Sequence, residues 1–371
     1  MKFNFKNKKQ NSYIFIFVLL VISFLTFTVT IFISKTNVYR LFSKTMLEEE
    51  RAKLLALSGI NLARVQLGMS YLPEEKNEEK SVESAEQKKY KKLLNKILPV
   101  INRWQIFKLD ENIDGIEGEI RICLVCEDGK INLNKSFDFK ANKFKPDVEQ
   151  VITSMKVSSG TTKIEGDKIL KELTDFFKKK NGPIDDLSEL LNIKSLEGVN
   201  FSYEPSEENI SKDLKNSSDE NRSICLQDFF TVWSNSEKVE PWLFSSSLCV
   251  LFDARLPKFN DAKNMKEKFQ KVVDKFKIDL GSNWGINWEI FLPIYEKRSA
   301  SFEVLKKLLS QQFAPSVYTV ISCGKVGNVK RKLLAVLVKQ DVDDGNKDSS
   351  NQKKRKLNPA EYFKVVKVFW L

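Results

Sequence analysis

The feature that most constrains this chain is an uncharged apolar run near its amino terminus. Tyr13–Ser34 reads YIFIFVLLVISFLTFTVTIFIS and contains no Asp, Glu, Lys or Arg. As a helix rising about 1.5 Å per residue, this run is long enough to cross the roughly 30 Å hydrocarbon core of a bilayer. A cleaved secretory signal has a shorter apolar stretch and a small-residue exit site, whereas this run is followed by Lys35 and Arg40. The sequence therefore predicts a membrane anchor.

The charges that flank this run predict its orientation. Basic residues precede it at positions 2, 6, 8 and 9, and three more follow it before a glutamate triplet at 48–50. The positive-inside rule then places the amino terminus in the cytoplasm and the rest of the chain outside it. We therefore expect a single-pass protein of the inner membrane that crosses the bilayer through 13–34, with a cytoplasmic leader (1–11) and a periplasmic bulk.

The net charge of +12 does not predict a nucleic-acid partner. Residues 1–47 hold seven basic and no acidic residues, residues 351–371 hold six basic and one acidic, and the stretch between them carries no net charge. The basic run Lys353–Lys356 lies in the polar stretch 341–358, and four charges there are typical of a solvated loop. The excess positive charge therefore lies around the membrane segment and near the carboxy terminus, and no nucleic acid is expected as a partner.

The membrane helix is predicted to continue to about Met69, because 38–69 contains no proline. Such a helix would be about 85 Å long. One stripe of small or apolar residues recurs on it at spacings of three and four, formed by Ala52, Ala56, Ile60, Ala63 and Leu67. Small side chains let another backbone approach closely. The stripe is therefore either an assembly face towards other subunits or the face that packs on the chain's own globular domain, and the sequence leaves both open.

The residue inventory argues against an enzyme. The chain has no histidine, which excludes catalysis by histidine-dependent triads and zinc sites that contain histidine. Cys123 and Cys126 form the one C-x-x-C, but they lie in Ile120–Cys126, which is predicted as a strand. Residues three apart on a strand point to opposite faces, so the pair suits neither a redox motif nor a zinc knuckle. No catalytic residue and no cofactor is predicted.

One turn carries a weak calcium pattern. Asp110, Asn112 and Asp114 alternate before Gly115, as in the first half of a calcium-binding loop. The position at which such a loop has a bidentate glutamate is Arg121 here. A plain polar turn is the favoured interpretation, and calcium binding is the alternative.

The globular part alternates between strand and helix patterns. Two strands are predicted at Trp104–Leu109 and Glu119–Cys126, and Asp128-Gly129 after them is typical of a hairpin turn. A helical block follows, in which Asn181 ends one helix and Asp186 with Glu189 opens another as a capping box. Strands return at 317–323, 333–338 and 362–371. This order predicts an α+β fold with these divisions: an anchor helix (12–70), a charged linker (71–92), a first sheet part (93–144), an inserted helical domain (145–313) and terminal strands (314–371).

One octapeptide after the second predicted strand is distinctive. It reads EDGKINLN and consists of Glu127, Asp128, Gly129, Lys130, Ile131, Asn132, Leu133 and Asn134. Downstream of an amino-terminal membrane helix, it resembles the minor pseudopilin K family of type II secretion (general secretion pathway protein K). Four further segments resemble parts of the family more weakly and occur in the same order along the chain. They are the long helix (51–63), a helical segment (185–191), the stretch 226–251 and the closing strands.

The resemblance implies a pilin-like fold, in which a long first helix packs on an antiparallel sheet interrupted by a helical domain. It also implies a non-enzymatic subunit at the tip of a periplasmic pseudopilus that supports protein export across the outer membrane. The implied partners are other minor pseudopilins and the inner-membrane platform of the secretion system. Some members bind calcium in the soluble part, which slightly favours calcium at the turn after Asp110.

One departure from the family and one alternative function stay open. A prepilin leader normally ends in glycine, but no glycine precedes Gly59 here, so cleavage of the leader stays open. The second hypothesis for the chain is a signal-anchored periplasmic interaction domain unrelated to secretion pili.

Overall fold

The structure is a computed structural model that describes residues 8–72, 93–154, 156–159, 162–193, 196, 225–240, 243–245, 247–248, 307–310, 314–340 and 358–371. Two expectations lie outside these residues: most of the charged linker and the basic run at 353–356. The described helices are α1 (Lys8–Tyr71), α2 (Glu111–Asp114), α3 (Leu133–Ser136), α4 (Pro146–Thr153), α5 (Gly166–Lys180) and α6 (Leu226–Phe229). The described strands are β1 (Trp104–Leu109), β2 (Gly118–Cys126), β3 (Ile131–Asn132), β4 (Phe137–Asp138), β5 (Lys143–Phe144), β6 (Lys156–Ser159), β7 (Thr162–Glu165), β8 (Phe230–Thr231), β9 (Val317–Val326), β10 (Val329–Lys339) and β11 (Phe363–Trp370).

Helix α1 runs without a break through 64 residues, a length of about 95 Å. The predicted continuation past the membrane run is confirmed, and the helix ends two residues beyond Met69. Within the described residues, α1 is the one helix that is long and apolar enough to cross a membrane. Every side chain from Tyr13 to Leu47 is exposed, so this half of the helix is not packed against the other described parts of the chain.

The main sheet has five strands in the order β1-β2-β9-β10-β11, and every neighbouring pair is antiparallel. Its central pair joins β2 to β9, although residues 127–316 separate them in the sequence. Strands β9 and β10 form a tight hairpin in which Gly327 has φ +55°, a left-handed conformation that suits glycine. The predicted α+β class, with a long amino-terminal helix and an antiparallel sheet interrupted in the sequence, is confirmed. The exact domain boundaries stay predictions.

The carboxy-terminal half of α1 packs on one face of this sheet. All five stripe residues, from Ala52 to Leu67, are at most 4% exposed and belong to the main core. A Cβ on Gly324 of β9 would lie 2.1 Å from the Ala52 carbonyl oxygen, so the two backbones nearly touch. The Ser322 hydroxyl donates to the Ala56 carbonyl over 2.6 Å.

This packing decides between the two interpretations of the stripe. The stripe is the face of α1 that packs on the chain's own sheet, and the prediction of an assembly face there is wrong. Its residues are Ala52, Ala56, Ile60, Ala63 and Leu67. The physical reason is that small residues permit close approach by any backbone, and the backbone that approaches them is that of β9.

The opposite face of the sheet carries a second apolar cluster. Cys123 belongs to this cluster, whereas Cys126 belongs to the core under α1, so the predicted opposite orientation of the two thiols is confirmed. None of the four described cysteines forms a disulfide, and burial raises the pKa of the Cys123 thiol to about 12. Both thiols therefore act as small buried hydrophobic groups.

The helical part follows the predicted local signals. Helix α5 ends at Asn181, which has φ +52°, and Asp186 with Glu189 forms a complete capping box on a 3-10 helix at Leu187–Asn192. An aromatic cluster of Phe137, Phe144 and Phe177, with ring centroids 4.8–5.6 Å apart, joins β4 and β5 to α5. The expected hairpin at Asp128-Gly129 is wrong, because β3 after this turn pairs in parallel with β8 and not with β2.

Candidate functional site

The exposed part of α1 is a candidate interaction surface. Beyond the membrane run, large apolar side chains stay exposed on the stretch between Ser34 and Glu48, which is about 21 Å long. Tyr39 and Phe42 are 68% and 61% exposed, and Leu54 on the outer face of the packed half is 62% exposed. We call this surface the apolar ledge, and it comprises Val38, Tyr39, Leu41, Phe42, Met46, Leu47, Leu54 and Leu57. Contiguous apolar surface of this kind is typical of protein–protein contacts.

Inside the membrane run, the polar side chains are compatible with an apolar solvent. The hydroxyls of Ser23, Thr26, Thr28 and Thr30 each donate to the carbonyl four residues earlier, over 2.8–2.9 Å. These bonds satisfy the hydroxyl donors without water, as a bilayer requires. The run can therefore lie in lipid along its whole length.

Helix α1 is fixed firmly to the sheet at its far end. Arg64 donates to the carbonyls of Ala360 and Phe363 over 2.9 and 3.0 Å, which ties α1 to the start of β11. The Tyr71 hydroxyl donates to the Pro315 carbonyl over 2.8 Å and lies 2.9 Å from the Tyr318 hydroxyl. The packed half of α1 is therefore tied to the sheet, and we call the sheet together with the helical part the head.

The octapeptide 127–134 forms a buried polar junction between the sheet and the helical part. Asp128 is 2% exposed and lies in a 3-10 turn directly after β2. Its Oδ2 accepts from the backbone N–H groups of Ser316 and Val317 over 2.6 and 3.0 Å, and its Oδ1 accepts from the Ser234 hydroxyl over 2.7 Å. Its carbonyl accepts from the Glu240 N–H over 2.7 Å. One residue therefore joins the end of β2, the start of β9 and the segment 234–240, which is why the chain does not turn back at Asp128.

A buried ion pair lies beside Asp128. The Lys130 ammonium contacts the Glu127 carboxylate and donates to the Gln227 carbonyl over 3.0 Å, and both charged side chains are at most 4% exposed. The Thr319 hydroxyl of β9 donates to the same carboxylate over 2.6 Å. Removing either charge would leave the other one buried and unpaired, so Glu127 and Lys130 are needed together.

The remaining motif residues hold the helical part by backbone contacts. A Cβ on Gly129 would lie 1.7 Å from the Leu243 carbonyl oxygen, so only glycine fits there. The Asn132 amide donates to the Ser234 carbonyl over 2.6 Å. Asn134 bonds both the N–H and the carbonyl of Ile184, each over 2.8 Å. The structure thus brings the residues of the octapeptide together in one buried structural junction.

Two buried acids of this junction were missed by sequence reasoning. Asp228 accepts from the Ser247 N–H over 2.6 Å, and Glu240 accepts from the Ala314 N–H over 3.0 Å. Burial raises the pKa of Asp228, which Lys130 partly opposes, and burial raises the pKa of Glu240 to about 8. One oxygen of each carboxyl has no hydrogen-bond partner. The signal available in the sequence was an acid placed between apolar neighbours, as in Val239-Glu240-Pro241.

The turn at Asp110 is far from this junction and is fully exposed. Asp110 Oδ1 caps α2 by accepting from the Asn112 N–H over 2.8 Å, and Asp114 Oδ2 accepts from the Asp110 N–H over 2.9 Å. Across the described ranges, no group of three or more Cys, Asp or Glu side chains is arranged to hold a metal ion. Calcium binding by Asp110, Asn112 and Asp114 stays a prediction.

Comparisons with known proteins give one kind of match. No protein-family model and no curated protein matches the sequence. The structure is similar to a chain in the crystal structure of the GspK-GspI-GspJ complex from the type 2 secretion system of enterotoxigenic Escherichia coli. The two chains are 14% identical with a TM-score of 0.44, and the match covers 88% of this chain and 98% of that one. The proposals below rest on the geometry of this chain alone.

Proposed function

We propose that this chain is a non-enzymatic minor pseudopilin, placed at the tip of a type II secretion pseudopilus and supporting protein export across the outer membrane. The observation that carries the proposal is that α1 is both the candidate membrane span and the packed core helix of the head. A chain built this way converts any movement of its membrane segment into an equal movement of its head. That is what a subunit of a filament raised from the inner membrane requires.

The proposed partners are other minor pseudopilins and the inner-membrane platform. The surface proposed for them is the apolar ledge, because it is exposed along the helix between the membrane and the head. A partner helix that lies along the ledge would bury several of its large apolar side chains. Burying one such side chain fully is worth about 1.5–3 kcal/mol, so a few of them would stabilise such a complex.

The orientation follows from the charges around the span, with the leader in the cytoplasm and the head in the periplasm. The calcium prediction at Asp110 is kept as a separate proposal, because an assembly role does not require it. Isothermal titration of the full chain with calcium, compared with Asp110→Asn, tests it directly. Absence of a binding signal in the unsubstituted chain would reject it.

The test of the assembly role uses two exposed positions one turn apart on α1. Leu54→Glu places a charge on the ledge, whereas Ser58→Glu places one on an exposed polar position. We expect Leu54→Glu to abolish co-purification with pilin-like partners and to reduce export, and Ser58→Glu to leave both intact. Both variants should unfold at the temperature of the original chain. Unchanged export and partner recovery in Leu54→Glu would favour the alternative of an interaction domain unrelated to secretion pili.

A further inference from the structure

Three basic side chains line the exposed side of α1 where the helix leaves the membrane and reaches the head. They are Arg40, Lys44 and Arg51, and all three are exposed. We call them the basic ridge. No acidic residue occurs in 1–47, so the membrane-proximal part of the ridge has no opposite charge beside it on the helix. The ridge therefore presents positive charge to its surroundings.

The chain's own acids leave most of this charge unpaired. Within the glutamate triplet at 48–50, two carboxylates pair with Lys53, which is not part of the ridge. The third lies 3.7 Å from the Lys44 ammonium, but the Lys44 side chain stays 71% exposed. Among the described residues, neither Arg40 nor Arg51 forms an ion pair. Because like charges four positions apart on a helix repel each other, acids from another molecule would stabilise the ridge.

The ridge lies on the side of α1 that faces away from the sheet. Ala52 and Leu55 are buried under the sheet, whereas Arg51 and Leu54, one position before each of them, are exposed. Leu47 lies on the same side and is 53% exposed. The described part of the head therefore leaves this side of the helix open to a neighbour.

The spacing along this side fits a neighbouring helix. Positions 40, 44, 47, 51 and 54 alternate in steps of four and three, the spacing that keeps two α-helices in contact over several turns. Two of these positions are leucines of the apolar ledge, so apolar and cationic side chains share one line about 21 Å long. A helix with apolar residues opposite the leucines and acidic residues opposite the cations matches the whole line.

Lipid headgroups do not account for the whole ridge. Arg51 lies seventeen positions beyond Ser34, which is about 25 Å along the helix axis. The headgroup region extends only about 5–8 Å beyond the hydrocarbon core on each side. An anionic lipid can therefore reach the membrane-proximal end of the ridge but not Arg51.

A second copy of this chain does not match the ridge either. Two copies anchored in one membrane have parallel α1 helices at one height, so Arg40 would face Arg40 and Arg51 would face Arg51. Like charges that face each other across an interface oppose association. The occupant that fits the ridge is therefore a different protein.

We propose that the basic ridge binds an acidic helix of a different membrane-anchored subunit, which runs parallel to α1. The inference rests on the proposed function and deepens it, because it assigns a charge to the partner that lies along the apolar ledge. Eleven positions separate Arg40 from Arg51, which is about three helical turns. The partner should therefore carry two acidic residues about eleven positions apart.

The test is carbodiimide crosslinking of the full chain in membranes from its source cells, followed by sequencing of the linked peptides. Carbodiimide joins a lysine amine to a carboxylate in direct contact and does not couple a guanidinium group. Arg40→Lys and Arg51→Lys each keep the charge and add a reactive amine. We expect each variant to gain one link to an Asp or Glu of the same partner, with the two linked acids about eleven positions apart. Lys53 with Glu50, 2.7 Å apart, gives an internal positive control.

Charge reversal tests the same contact by its strength. Arg40→Glu with Arg51→Glu should lower co-purification with pilin-like partners about tenfold, since exposed ion pairs contribute modestly and add. Both changes remove positive charge from the non-cytoplasmic side, so they do not oppose membrane insertion. The matched control Lys168→Glu with Lys171→Glu, on the exposed side of α5, should leave co-purification intact.

Three results would each overturn the proposal. They are the absence of a link at position 40 or 51, linked acids that lie in a second copy or are not about eleven positions apart, and unchanged co-purification of the reversed variant. A link-free position 51, with partner binding that depends on added anionic lipid, would assign the ridge to lipid headgroups. Co-purification of the original chain reports separately on the proposed function. Its absence contradicts that function, whereas co-purification without the links contradicts only the binding of an acidic helix.

Discussion

Removal of the Asp128 carboxylate should uncouple the sheet from the helical part. In Asp128→Ala, the N–H groups of Ser316 and Val317 and the Ser234 hydroxyl lose their acceptor. A buried donor left without an acceptor costs about 1–3 kcal/mol, and two of these donors are backbone groups that cannot turn to another partner. The carboxylate also carries a burial penalty, because burial raises the pKa of Asp128, and its removal offsets part of the loss. We therefore expect about 3 kcal/mol of destabilisation.

An amide at the same position should be far less costly. In Asp128→Asn, the amide oxygen can stay on the two backbone N–H groups, and the amide nitrogen can donate to the Ser234 hydroxyl oxygen. That hydroxyl can then donate to the Ser236 carbonyl, which lies 3.3 Å away. The cost should be about 1 kcal/mol, the difference between a charged and a neutral acceptor.

The assay is urea unfolding of the detergent-solubilised full chain, followed by tryptophan fluorescence, with hydrogen exchange read at Val317. Asp138→Ala is the matched control, because Asp138 also accepts two backbone N–H groups but is exposed, so water replaces it. Asp138→Ala should lower the free energy of unfolding by less than about 1 kcal/mol. The reasoning is refuted if Asp128→Ala costs no more than this control, or if Asp128→Asn costs as much as Asp128→Ala.

Three further predictions test other parts of the fold. Because burial raises the pKa of Glu240 from its ordinary value to about 8, its contribution to stability is complete below the unfolded-state pKa and is lost as pH rises through about 8. Raising the pH from about 6 to 9 should therefore cost about 3 kcal/mol in urea unfolding, and Glu240→Gln should remove most of this pH dependence. Gly324→Ala should destabilise the chain by at least about 2 kcal/mol, because its Cβ would meet the Ala52 carbonyl at 2.1 Å. Gly182→Ala, which meets nothing within 4 Å, serves as its control, and equal melting temperatures would contradict the close approach. Arg64→Gln should speed hydrogen exchange at the start of β11 without changing membrane extraction, and unchanged exchange there would show that its two bonds do not hold the strand.

The elements that depend on local signals were predictable from the sequence. The absence of charge through 13–34 and of proline as far as Met69 defines α1 almost to its last residue. The strand patterns on both sides of the helical block predicted one domain interrupted by another, and the pairing of β2 with β9 closes the sheet across that interruption. The capping box at Asp186 involves residues within one turn of each other, so it too could be identified directly.

The features that depend on distant partners were not predictable. Asp128-Gly129 has the composition of a hairpin turn, but the hydrogen-bond donors that decide its conformation come from positions 234, 240, 316 and 317. Asp228 and Glu240 acquire their roles only when the sheet and the helical part meet. The stripe on α1 was visible, but spacing alone does not reveal which backbone approaches it.

The separation of β2 from β9 has a consequence for the order of folding. During synthesis, α1 and the β1–β2 pair are complete long before residues 317–370 leave the ribosome. Until then the edge of β2 that pairs with β9 is open, and the small-residue stripe of α1 lacks the close contacts that β9 makes with it. Pairing across so long a stretch closes slowly, and an unpaired strand edge is prone to aggregate. The nascent chain should therefore need a holdase chaperone that shields α1 and the β1–β2 pair. This need should end when β9 has left the ribosome and pairs with β2.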